Sequence, residues 1–226
     1  MKIKEEFKKR WFYLETKNFI RYISQSRKKI IKKELEKQEE HFQKFCNLFG
    51  IKTRKKIRIY SVKDRKEMKQ IVGYETNGRA EPQNYRVFSV YVHCPHEVIH
   101  VLEDNFLGNS NNLLGEGLAV CFGWEDGWHG KPLRKWMRKF LKEKTYIPLK
   151  ILMDDNVFKT KLEDNITYPE SGAFVKFLIN KFGIEKFKEL DSKVKWKKPV
   201  GYNTEIFQKV LKIKFKDIEK EFIRQF

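Results

Sequence analysis

His96-Glu97-Val98-Ile99-His100 is the stretch around which the rest of this 226-residue chain is organised. Residues four apart in a helix lie on one face, so His96 and His100 can each offer a ring nitrogen to the same metal ion. Glu97 then projects beside the metal, where it can take a proton from a bound water. Two histidine ligands and a glutamate base are the arrangement of a zinc hydrolase. Because so short a pattern also arises by accident, the surrounding sequence has to decide its meaning.

A zinc site of this kind needs a third protein ligand and an open position for water. Glu116 is the favoured candidate, because it follows one break in the helical pattern and lies in the first turn of the next predicted helix. His129 is an alternative, in a loop rich in glycine and tryptophan. Glu103 or Asp104 would share the helix with both histidines, which gives poor geometry because all three ligands would come from one surface.

The chain before the pentapeptide predicts a small sheet with helices. Alternating, β-branched and aromatic residues predict two strands within 11–23 and further strands over 56–62 and 85–92. An amphipathic helix follows a candidate cap at residues 24–26 and ends at Gly50, and a short helix is expected over 64–71. The segment 73–84, with two glycines and a proline, predicts a loop. His41, on the long helix, has no second ligand near it in sequence and is predicted to be a surface or boundary histidine.

The chain from the pentapeptide onward predicts helices only. Their expected ranges are 96–106, 113–124, 131–144 and 171–182, followed by two more helices before Phe226. The predicted fold class is therefore α+β, a small N-terminal β-sheet with helices packed against a mainly helical C-terminal lobe. We expect one domain over residues 1–226, with an N-terminal lobe of about 1–107 and a C-terminal lobe of about 108–226.

The net charge of +19 is unevenly distributed along the chain. Lysine and arginine outnumber acidic residues by 14 over residues 1–71 and by 11 over 131–226, whereas acidic residues are in excess by 6 over 72–130, around the pentapeptide. Solvated lysine-rich helix faces are the favoured explanation, and attraction to nucleic acid or an anionic surface is the alternative. A hydrophobic content of 40%, with 15% aromatic residues, argues against a disordered chain.

The compartment is predicted from what the sequence lacks. The start, MKIKEEFKKRWFYL, has no apolar region typical of a signal peptide, and no apolar run approaches the length of a membrane span. The three cysteines, Cys46, Cys94 and Cys121, contain no C-x-x-C pair and suit buried free thiols in a reducing compartment. We therefore expect a soluble cytoplasmic protein, with export without a leader left open.

The pentapeptide together with Gly115-Glu116-Gly117-Leu118-Ala119 resembles the gluzincin metallopeptidases, the thermolysin-like or peptidase MA-like group. In that family the third zinc ligand is the glutamate of an (N/S)EG(L/F)A helix that follows HExxH. Residues 168–189, YPESGAFVKFLINKFGIEKFKE, resemble the family's tyrosine-led helix and the turn after it. Residues 207–226 resemble its closing helices, so the resemblance extends over about 56–226.

The resemblance implies one Zn2+ per chain, bound by His96, His100 and Glu116 in a zincin-like cleft between the two lobes. It implies that Glu97 is the general base and that the Tyr168 hydroxyl stabilises the oxyanion. Tyr168 could instead be an aromatic residue packed at a helix start, because one extra residue separates it from the following glycine. Val120 departs from the family, since thermolysin-like relatives have an aspartate there that orients a zinc histidine.

These residues predict a zinc-dependent metallopeptidase that cleaves a peptide or protein substrate. The segment 78–82, GRAEP, lacks the Met and Asn of the GxMEN loop with which related aminopeptidases hold a free amine, so an endopeptidase is favoured. The alternative is a catalytically inactive metallopeptidase-like module whose basic flanks bind nucleic acid or another anionic partner. A third hypothesis is a zinc enzyme that hydrolyses another amide or an ester.

Overall fold

The structure is a computed structural model that describes residues 11–24, 31–124 and 127–226. The chain divides into two compact units, Met1–Leu102 and Glu103–Phe226. Part of the candidate helix cap at residues 24–26 lies outside the described residues, as Gln25 and Ser26 are not among them.

The first unit contains a five-stranded mixed sheet in the order β1-β2-β3-β5-β4. Its strands are β1 (Trp11–Glu15), β2 (Phe19–Ser24), β3 (Ile57–Ser61), β4 (Gly78–Glu81) and β5 (Arg86–Ser89). The hairpin β1–β2 is antiparallel, β2, β3 and β5 run parallel to one another, and β4 is antiparallel to β5. The strands predicted within 11–23, 56–62 and 85–92 are confirmed, although the last is shorter than expected.

The loop predicted over 73–84 is wrong in part, because it contains β4 and a turn of 3-10 helix at Pro82–Asn84. Nothing in Gly78-Arg79-Ala80-Glu81 has high strand propensity. The strand is formed by its register with β5, in which Gly78 lies opposite Ser89 and Ala80 opposite Val87. Strand propensity is weak beside such tertiary pairing.

Helices α1 (Ile31–Phe49), α2 (Arg65–Val72) and α3 (Pro95–Phe106) accompany the sheet, with α3 continuing past Leu102. The predicted stop of α1 at Gly50 is confirmed, and this glycine has a φ of 68°. Helix α2 is capped by Asp64, whose side chain accepts a hydrogen bond from the Glu67 N–H. One face of the sheet and α2 bury a shared core, which contains Trp11, Tyr60, Met68 and Phe88 among others.

The second unit is helical in its described part, apart from one isolated bridge between Trp128 and Lys131. Its helices are α4 (Asn112–Gly123), α5 (Leu133–Glu143), α6 (Leu149–Leu152), α7 (Asp155–Thr160), α8 (Asp164–Phe182), α9 (Ile184–Lys193), α10 (Val200–Leu211) and α11 (Phe215–Ile223). With the sheet of the first unit, these elements confirm the α+β class.

Two expectations for the second unit are wrong. Helix α8 begins at Asp164 and not near residue 171, because it continues through Pro169 at the loss of one backbone hydrogen bond. Burial of the Pro169 and Phe174 side chains compensates that loss. Three helices rather than two follow Gly183, since Pro199 starts a separate α10.

The cysteines are free, as predicted, with Cys46 and Cys94 buried and Cys121 half-buried. Burial raises the pKa of Cys94 to about 11, so its thiol stays protonated at neutral pH. Within the ranges that the structure describes, no helix is long and apolar enough to span a membrane.

Candidate metal centre

The start of α3 is held in place by buried side chains of the first unit. The fully buried Arg21 guanidinium donates a hydrogen bond to the Val92 carbonyl, and the Gln38 side-chain oxygen accepts one from the Cys94 N–H at 2.7 Å. Pro95 is the first residue of the helix, where its missing N–H costs no helical bond. These contacts fix the turn from which His96 and His100 project.

His96 and His100 are half-buried, and their Nε2 atoms are 3.2 Å apart. Their ring planes are inclined by 81°. Two imidazole nitrogens at a typical zinc–nitrogen distance and a tetrahedral angle would be about 3.3–3.4 Å apart. The observed separation therefore fits two ligands of one tetrahedral ion.

Glu116 is the third member of this group. His96, His100 and Glu116 each offer one ligand atom, and these atoms all lie within 4.8 Å of one another. Among the residues that the structure describes, this is the one such group of three or more His, Cys, Asp or Glu side chains. The alternatives Glu103, Asp104 and His129 do not belong to it, and the exposed His129 ring instead packs on Trp128, with ring centroids 4.6 Å apart.

Helix α4 positions Glu116 by its capped start. The Asn111 side chain accepts a hydrogen bond from the Leu114 N–H at 3.3 Å and donates one to the Met153 carbonyl. The Asn112 N–H donates to Asp155 Oδ1 at 2.7 Å. Because these partners are in α7 or just before it, the first turn of α4 is tied to its neighbours, and Glu116 is buried there with 8% of its surface exposed.

The glycines on either side of Glu116 allow close packing. A Cβ atom at Gly115 would lie 3.1 Å from the Glu103 carboxylate. A Cβ atom at Gly117 would lie 2.6 Å from the Ser171 carbonyl oxygen on α8. Only glycine permits these approaches without displacement, so the Gly-Glu-Gly sequence has a packing reason as well as a chemical one.

Glu97, the predicted base, is half-buried and lies against strand β4. A Cβ atom at Gly78 would lie 2.6 Å from Glu97 Cδ and closer still to one of its carboxylate oxygens. The backbone of β4 is therefore in direct contact with the side chain expected to handle the proton.

Tyr168 is linked to Glu116 through a lysine that the sequence did not single out. The Lys159 ammonium donates to Glu116 Oε1 and to the Tyr168 hydroxyl, the latter at 3.0 Å. Burial lowers the pKa of Lys159, but the charge interactions and hydrogen bonds with Glu116 and Tyr168 together outweigh it, and the net pKa is raised. Burial, followed by the charge of Glu116, raises the pKa of Tyr168, so its hydroxyl remains protonated. Nothing in the local sequence distinguishes Lys159 from other lysines of this chain.

The structure also pairs His41 with His93, the residue three positions before His96. His41 Nδ1 and His93 Nε2 are 3.0 Å apart, and both rings are half-buried. The half-buried His41 is at a boundary position, as predicted. The prediction considered only residues near it in sequence, and the tertiary fold brings in a partner 52 residues away.

The group of His96, His100 and Glu116 has the donor set and the spacing of a site for one borderline divalent ion such as zinc. The Glu97 carboxylate could transfer a proton, and the protonated Tyr168 hydroxyl could donate a hydrogen bond. No protein-family model matches the chain, and a comparison with curated proteins finds no match either.

Proposed function

We propose that this protein is a zinc-dependent metallopeptidase that hydrolyses peptide bonds. The proposal rests on one observation, the mutual approach of ligand atoms from His96, His100 and Glu116 to within 4.8 Å. It is supported by the position of Glu97, which follows His96 directly and is thus attached to the same turn of α3.

The proposed mechanism divides the work among the residues. Bound zinc would supply a water of lowered pKa and polarise the scissile carbonyl. The Glu97 carboxylate accepts a proton from the attacking water and delivers it to the leaving amine. Tyr168 donates a hydrogen bond to the carbonyl oxygen as negative charge develops on it, a contact whose loss typically lowers kcat about 10²–10³-fold.

An endopeptidase is favoured over an aminopeptidase by the pairing of Glu81. An aminopeptidase of the related type would need a carboxylate in this segment to bind the free amine of its substrate. The Glu81 carboxylate is instead engaged by Arg86 in an ion pair and by Arg79 at 3.5 Å. Two guanidinium groups neutralise its charge, so it attracts a substrate ammonium only weakly.

Strand β4 supports the binding of an extended chain. It lies at the edge of the sheet, pairs with β5 on one side, and contacts Glu97 at Gly78. A substrate added to such an edge is held by backbone hydrogen bonds, which do not require a chain end. Internal peptide bonds would therefore be brought beside Glu97.

The first test is the metal content of the purified protein beside that of the Glu116→Ala variant, by elemental analysis after dialysis. We expect about one zinc per chain in the wild type and a sharp loss in the variant. Glu205→Ala, which removes an exposed helix carboxylate, is the control and should keep the metal. A wild-type protein that takes up no zinc on titration would overturn the proposal.

The second test is the Glu97→Gln variant, assayed on an unfolded protein and on a mixed peptide library. It should bind zinc as the wild type does and lose at least about a hundredfold in turnover. Undiminished hydrolysis by this variant would exclude Glu97 as the base. A wild-type protein that binds zinc but hydrolyses neither substrate would instead favour the inactive binding module.

A further inference from the structure

Lys159 brings together two of the groups to which the proposed mechanism assigns roles. Its ammonium donates to Glu116 Oε1 and, at 3.0 Å, to the Tyr168 hydroxyl, with the three residues on α7, α4 and α8 of the second unit. A lysine ammonium has three donors, so one side chain can hold both partners at once.

This contact differs from the ordinary ion pairs on the surface of the protein. In the pair of Lys209 and Glu205 both side chains are about 70% exposed, and such pairs contribute little. Of the Glu116 side chain only 10% is exposed, against 41% for Lys159. The ammonium also lies 5.2 Å from the centroid of the Tyr168 ring, so the lysine is held by the ring face as well as by the hydroxyl.

We propose that Lys159 is a positioning residue of the metal centre, which orients the Tyr168 hydroxyl while it is itself held by the Glu116 carboxylate. This inference rests on the proposed peptidase function. Lys159 then has opposite effects on metal binding and on turnover. The positive charge repels a cation bound by Glu116 and so weakens metal binding, whereas the hydrogen bond to Tyr168 supports turnover.

The opposite signs separate this role from a purely structural one. Loss of a residue that only maintains the fold would weaken metal binding and turnover together. Lys159→Met keeps the length of the side chain but removes the charge and the donors. We expect it to bind zinc about fivefold more tightly, because the repulsion is gone, and to lower kcat about tenfold, because the Tyr168 hydroxyl loses the donor that orients it.

Zinc affinity is measured by competition with a chromophoric chelator, and kcat and KM on the peptide substrate found for the wild type. Lys159→Arg, which retains a charged donor, should rescue most of the lost kcat. Lys161→Met, at an exposed neighbouring position, is the matched control and should change neither quantity. Thermal unfolding of the metal-free variants verifies that each is folded.

Tyr168→Phe removes the hydroxyl that accepts the second hydrogen bond of Lys159. It should lower kcat with zinc affinity within about twofold of wild type, and combining it with Lys159→Met should add little further loss, because the two residues act through one contact. Additive losses in the double variant, or weaker zinc binding by Lys159→Met, would overturn the inference. A wild-type protein without zinc would show instead that the proposed function fails, and the inference with it.

Discussion

Replacing Gly117 with alanine tests whether the crossing of α4 and α8 sets the position of Glu116. The added Cβ atom would lie 2.6 Å from the Ser171 carbonyl oxygen and 2.6 Å from Val175 Cγ2. Ordinary contact begins at 3.4 Å, so a gap of 0.8 Å must be opened. The valine can rotate, but the Ser171 carbonyl belongs to the backbone of α8, so one of the two helices has to move.

The cost in stability follows from that displacement. Overpacking typically costs about 1–3 kcal/mol, and contact with backbone places Gly117→Ala near the upper end. The better helix propensity of alanine offsets about 0.5–1 kcal/mol. A net loss of about 2 kcal/mol should lower Tm by about 4–8 °C in a chain of this size. Gly201→Ala in α10 is the control, since its Cβ would meet nothing within 4 Å, and its Tm should stay the same or rise.

The same displacement should be felt at the metal centre. Because Glu116 directly precedes Gly117, a movement of α4 shifts its carboxylate relative to the two histidines, and zinc affinity should fall about tenfold or more. Circular dichroism melts of the metal-free protein and zinc competition titrations measure both effects. If Gly117→Ala matches Gly201→Ala in Tm and in zinc affinity, the close approach has no energetic consequence and the reasoning is refuted. A lower Tm with unchanged affinity would mean that α8 moves and α4 does not.

Two further predictions concern Glu97 and Glu170. Gly78→Ala should displace the Glu97 carboxylate, the flexible end of its side chain. Turnover should then fall about tenfold or more, with zinc content and Tm unchanged. Loss of zinc in this variant would contradict the assignment of Glu97 as the base. Glu170 is fully buried on α8, and burial raises the pKa of its carboxyl well above the usual 4.5. Unfolding therefore releases a proton above pH 4.5, and the stability from this group is lost as pH rises from about 4.5 towards the raised pKa. Glu170→Gln should remove that loss, so urea denaturation should show a smaller fall in stability between pH 5 and pH 8 than in the wild type; an unchanged fall would show that Glu170 ionises normally.

The histidine pair was predictable because it depends only on helix periodicity. His96 and His100 are separated by one turn, and any helix over this stretch brings their side chains to the same face. Their Nε2 separation of 3.2 Å then follows from local geometry. The position of Glu116 was harder to predict, since it depends on where the chain leaves α3 and where the next helix begins, at Asn112.

Lys159 could not be predicted, because its contacts are purely tertiary. It is 43 residues from Glu116, and it is one of 49 lysine and arginine residues in the chain. The link between His41 and His93 is hidden for the same reason, as is strand β4, which forms only through its pairing with β5. Periodicity reports which face of an element is buried, but not which element covers it.

The gluzincin-like residues around Glu116 have two different explanations, helix packing and the chemistry of the carboxylate. Gly115 and Gly117 are explained by close approaches to Glu103 and Ser171, and Leu118 and Ala119 are fully buried. Any chain with a tight helix crossing at this point would favour such residues, whatever its chemistry. The carboxylate is different, because burying a charge is costly unless a cation compensates it.

If α4 had only a structural role, an apolar side chain or a neutral amide at position 116 would stabilise the fold more than a carboxylate does. Lys159 supplies one such cation, but its own side chain is 41% exposed, so it compensates the buried carboxylate only in part. Two imidazole nitrogens within 4.8 Å of the same carboxylate would supply the remaining ligands of a divalent ion. A metal ion would therefore account for Glu116, the one residue of the motif that packing does not require.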